Sequence, residues 1–172
     1  AAYAVLASHG YGGASMLRIA QAARASNETL YRWYGDKDGL HEQCGLVGGK
    51  SATVELKTEA CPDFVMPNAD GAGYYRFAMS PADQRKLEDN FARLSEREQR
   101  AFADSVDAAF RAGAMDSRGF LAAAARLAEA PVRQTAMAPL GTIGWMITNL
   151  AKDAAEKQAL RDYVAKIYGP RL

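Results

Sequence analysis

The sequence lacks a basic excess: 21 Lys+Arg stand against 20 Asp+Glu, a formal net charge of +1. A nucleic-acid-binding chain usually carries such an excess, so any contact with DNA here must rest on where particular residues sit. The two cysteines, Cys44 and Cys61, are too few and too poorly spaced for a disulfide framework or a zinc site. The two histidines, His9 and His41, have no carboxylate or cysteine at ligand spacing. There is no G-x-S-x-G, no paired carboxylates with a histidine and no phosphate loop, which excludes the common catalytic classes and leaves no catalytic, metal or cofactor residue to name. No apolar run approaches the roughly 18 residues needed to cross a bilayer, and no signal-peptide pattern opens the chain. The expectation is a cytoplasmic protein without a membrane partner. The sequence enters helical pattern directly, without an initiator methionine, and an N-terminal arm ahead of it is expected. Sheet-type alternation, internal repeats and low-complexity tracts are also missing.

What is present favours helix. Hydrophobic residues make up 49% of 172, enough for a buried core, and alanine runs such as 121–125 and 153–155 favour helix. Residues 1–9 have helical spacing and Gly10 ends the stretch. Ser15 is placed to cap a second helix whose apolar face is Met16, Ile19, Ala20 and Ala23. After a turn at Arg24-Ala25, Ser26 caps a third helix over 27–34, with Leu30 and Tyr34 on one side. Gly35 stops it, and a fourth helix is predicted from Lys37. Short helices joined by a three-residue turn make a helix-turn-helix.

Farther along, Pro62, Pro67, Gly71 and Gly73 break the pattern between Cys61 and Ser80. Ser80-Pro81 restarts a helix as cap and first position, with Leu87, Phe91 and Leu94 as its apolar stripe. Further helices are predicted over 96–112, with Phe102, Val106, Ala109 and Phe110 inward and Gly113 as the stop, and over 117–130 before Pro131. One or two more follow, with Ile143, Ile147 and Leu150 in phase, then Leu160, Val164 and Ile167.

The segment GYGGASMLRIAQAARASNETLYRWYGDKDGL, residues 10–40, resembles the DNA-binding head of the tetracycline-repressor family. The matching features are Gly10-Tyr11, Ser15-Met16, Ile19-Ala20, Ala23, Ser26, Thr29-Leu30-Tyr31, Tyr34, Lys37 and Leu40. Two positions depart. Arg24 stands where the family usually has glycine in the tightest part of the turn, at a cost of roughly 1 kcal/mol. Trp33 stands where tyrosine or histidine is more frequent, and its indole N–H is still a donor. The resemblance implies an all-α chain: a three-helix head over residues 1–45, then a helical regulatory and dimerisation domain over 46–172. The third helix would enter the major groove of double-stranded DNA. Asn27 suits the N6/N7 edge of adenine, and Tyr31 can reach a base edge or a thymine methyl. Thr29, Trp33 and Lys37 match positions that grip phosphates, and Arg18 and Arg32 are further phosphate candidates.

For the body, the resemblance implies a homodimer built from the last two long helices and a pocket for a small-molecule effector. Candidate walls are Phe64, Phe91, Phe102, Phe110 and Trp145, and each has an alternative reading as plain core. The small residues between 117 and 150 suit a close helix interface, or equally the subunit's own core. The function implied is a ligand-responsive transcriptional repressor on a palindromic operator. A helical protein–protein adaptor, an activator and a regulator without an effector remain open.

Overall fold

A computed structural model describes residues 28–34, 40–46 and 171 as backbone, and residues 51, 53–55 and 60–170 in full. The chain divides into two compact units between Ala69 and Asp70. The sequence pattern puts the division near residue 45. The difference arises because a strand at Phe64–Met66 returns to pair with the N-terminal segment.

In the first unit the structure corrects two helix expectations. Residues 28–34 and 40–46 are not the predicted third and fourth helices but strands, β1 (Glu28–Tyr34) and β2 (Leu40–Leu46). They pair antiparallel from Glu28↔Leu46 through Tyr34↔Leu40. β3 (Phe64–Met66) pairs antiparallel with the other edge of β1, giving the order β2-β1-β3. The physical reason lies in β1 itself. Thr29, Tyr31, Trp33 and Tyr34 are β-branched or aromatic, types that fit a pleated surface. The four-residue spacing of Leu30 and Tyr34, read as helical, puts two residues on one face of a strand just as well. β2 has no such composition and takes its form from the pairing. The helices expected over 1–9 and 15–23 lie outside the described residues.

The second unit is helical, as expected. α1 (Pro81–Asp89) starts as the sequence indicates: the Ser80 hydroxyl accepts from the Asp83 N–H at 3.2 Å, and Pro81 occupies the first turn. A short 3-10 turn, Phe91–Arg93, leads to α2 (Glu96–Arg111). Ser95 and Glu98 form a reciprocal capping box: the Glu98 N–H donates to Ser95 Oγ and the Ser95 N–H to Glu98 Oε2. Glu98 is fully buried, and its Oε1 also accepts from the Asp70 N–H. At the other end Gly113, with φ of 72°, turns the chain out of the helix. Its N–H donates to the Phe110 carbonyl and that of Ala114 to Ala109, so two otherwise orphaned acceptors are satisfied.

α3 (Ser117–Leu127) is capped by Asp116, whose Oδ1 accepts from the Gly119 N–H at 2.7 Å. α4 (Arg133–Met137), α5 (Leu140–Asn149) and α6 (Ala154–Tyr168) follow, the last capped by Asp153. The core gathers Leu87, Phe91, Leu94, Phe102, Val106, Phe120, Leu127 and Ile143. Phe91 and Phe102 form a tilted pair with centroids 6.1 Å apart, and Phe110 and Phe120 another at 4.8 Å. α6 is tied down by two hydroxyls, with Tyr168 donating to the Ala136 carbonyl at 2.8 Å and Tyr163 to that of Leu121.

Candidate functional sites

The residues proposed from sequence to face DNA fall into two groups. Thr29, Tyr31, Arg32 and Trp33 lie on β1, where they stand opposite Gly45, Gln43, Glu42 and His41 of β2. Arg32 and Trp33 also register with Met66 and Val65 of β3. Arg18, Asn27 and Lys37 lie outside the described residues. The structure therefore brings four of the seven onto one strand, at the centre of the sheet.

The second unit holds a cavity of about 420 Å³ between α2 and α5, lined by Phe110, Arg111, Thr142, Trp145 and Leu150. That volume lies within the range of small-molecule sites. Of the five aromatic residues suggested as pocket walls, Phe110 and Trp145 line this cavity. Phe64, Phe91 and Phe102 do not: all three are buried side chains. Phe102 also borders a void of about 10 Å³, too small for an organic ligand. The reason is positional, because Phe91 and Phe102 pack on each other and no space is left between them.

One wall of the cavity is polar, and sequence reading missed it. Arg111 Nε donates to Asp107 Oδ2 at 2.8 Å and Arg111 Nη2 to Thr142 Oγ1 at 3.0 Å. The Thr142 hydroxyl in turn donates to Asp107 Oδ1. A helical i,i+4 pair, Asp107 with Arg111, is thus locked onto α5 by one hydroxyl. The pair is legible in sequence as a spacing. Thr142 is not, because it is 35 residues away.

A third feature is an exposed face. On α5, Gly141, Gly144, Trp145 and Thr148 are exposed, and a Cβ added at Gly141 or Gly144 would meet nothing within 4 Å. Of the fifteen residues of α6 only Tyr168 is buried, while Leu160, Val164 and Ile167 are half-exposed at helical spacing. The alanines of α3 behave differently: Ala123 and Ala124 are fully buried, as is Ala128 after it. The small residues predicted as either interface or core thus separate: Ala123 and Ala124 of α3 serve the core, Ala122 is exposed, and Gly141 and Gly144 of α5 face outward.

Among the described residues no helix is long and apolar enough to cross a membrane, and no three His, Cys, Asp or Glu side chains gather where a metal could be held. Cys61 is a free, exposed thiol.

Among known proteins, the model of the family described as bacterial regulatory proteins, tetR family, matches residues 1–44. No curated protein matches the chain.

Proposed function

We propose, from the match of residues 1–44 to the model of the bacterial regulatory proteins of the tetR family, that the chain is a DNA-binding transcriptional regulator and a ligand-responsive repressor. It binds a palindromic operator as a homodimer in the cytoplasm and is released by a small molecule. The observation that carries the reading is the family match over the head. We assign no catalytic role. Base-edge contact goes to Asn27 and Tyr31, and phosphate contact to Thr29, Trp33 and Lys37, with Arg18 and Arg32 beside them.

The homodimer is supported by the outward face of α5 and α6: glycines at 141 and 144 open to close approach, and a long C-terminal helix with one buried residue. Two-fold symmetry requires an operator whose half-sites are separated by about 34 Å or a multiple. The effector reading is supported by the cavity between α2 and α5. A ligand there releases DNA only to the extent that it binds the released state better.

Selection of bound duplexes from a random pool tests this directly. A palindromic product is expected, with affinity falling steeply as salt rises. Lys37→Ala should weaken all sequences and lower the salt slope by about one, whereas Asn27→Ala should cost roughly 1–3 kcal/mol at a single base pair. A pool that yields no enriched duplex would overturn the reading.

A further inference from the structure

The cavity between α2 and α5 has walls of three kinds, and together they describe what fits it. Phe110 and Trp145 present aromatic surface, and Leu150 adds an aliphatic edge. Trp145 and Leu150 are 45% and 44% exposed, so part of their apolar surface is uncovered within the chain. Flat aromatic molecules recover the most from such walls, by offset or edge-on ring contact.

The polar wall is a donor wall. Asp107 has both carboxylate oxygens engaged, one by Arg111 Nε and the other by Thr142. The Thr142 hydroxyl donates to Asp107 and accepts from Arg111 Nη2. Of this trio, Arg111 Nη1 is the group with no partner among the described residues. Asp107 and Thr142 anchor the exposed guanidinium at Nε and Nη2, so a ligand oxygen meets an oriented donor.

We propose that the cavity takes a planar aromatic molecule bearing a carbonyl or carboxylate oxygen, the rings against Phe110 and Trp145 and the oxygen on Arg111 Nη1. This deepens the effector reading above and rests on it. The excess charge of Arg111 is largely met by Asp107, so the oxygen acceptor, neutral or anionic, is the shared requirement.

Calorimetric titration of the full chain with 2-naphthoate, 2-naphthamide and naphthalene tests it. Expected is one site per chain for the first two, at least tenfold tighter than naphthalene, with quenching of tryptophan fluorescence. Arg111→Lys keeps a cation beside Asp107 but removes Nη1, and should erase the preference over naphthalene. Trp145→Ala, at a half-exposed position, should weaken all three ligands at least fivefold, with the helical circular-dichroism signal of the parent retained. Naphthamide failing where naphthoate binds supports the site and narrows the ligand to anions. The proposal is overturned by no saturable binding of either oxygen-bearing probe at millimolar concentration, by equal affinity for naphthalene, or by affinities unchanged in both variants. Operator selection separates the two readings. Duplex enrichment without naphthoate binding removes the cavity assignment alone, and naphthoate binding without any enriched duplex removes the regulator alone.

Discussion

Glu88 on α1 is a carboxylate held where water is scarce. Burial raises its pKa above the usual 4.5, against a hydrogen bond from Gln84 Nε2 to its Oε1 at 2.6 Å. The folded chain therefore holds this proton more tightly than the unfolded chain does. The group's contribution to stability is fully present below about pH 4.5 and is lost as pH rises through the folded value. Glu88→Gln keeps the acceptor for Gln84 and removes the buried charge. Its melting temperature at neutral pH should exceed the parent's by about 2–4 °C, and the gain should vanish near pH 4. Thermal melts across that range check it, and a gain independent of pH would place the cause elsewhere. At this scale sequence reading identified caps well, because Ser80, Pro81 and Gly113 each act within one helical turn. It could not rank the phenylalanines. Phe102 and Phe110 stand eight apart on α2, yet one closes the core and the other borders a cavity, which is decided by Phe91 and α5 rather than by their neighbours in sequence.

At the level of elements, the body was legible and the head less so. Helices at 81–89, 96–111 and 117–127 fall within the stretches expected from apolar spacing, although the first, expected to reach about Leu94, ends at Asp89 before the 3-10 turn, and the third, expected to Ala130, ends at Leu127. The strands at 28–34 and 40–46 were not foreseen, since a seven-residue stretch with apolar residues four apart satisfies both periods. The resemblance implies a head that reads DNA with a helix, while the backbone here pairs the same residues as antiparallel strands. DNA admits either, because the major groove accepts a helix or a two-stranded ribbon. In the operator complex we expect helical Cα secondary shifts for residues 28–34. Strand shifts persisting there would make β1 and β2 the reading element, and the base contacts would then alternate along β1 instead of recurring each turn.

For the whole molecule, the proposed homodimer rests on the outward side of α5 and α6. Gly144→Glu adds a charge where a lone chain has open space, so its melting temperature as a monomer should hold. Across a two-fold interface the same change sets like charges close together. Light scattering should show self-association weakened at least tenfold, about 1.4 kcal/mol. An undiminished dimer would move the interface off this face. No sequence pattern could have located the surface: glycine-rich helix and alanine-rich helix look alike until the fold turns one inward.

Trp145 belongs to two places at once. Its ring borders the cavity, and it stands on α5 beside the exposed glycines, one turn from Thr142. An indole that shifts to admit a guest reshapes the footprint offered to a second copy. By reciprocity, a second copy that favours one pose of the indole alters the guest's affinity by the same factor. Titrations at dilute and concentrated protein would then give different dissociation constants for one and the same compound.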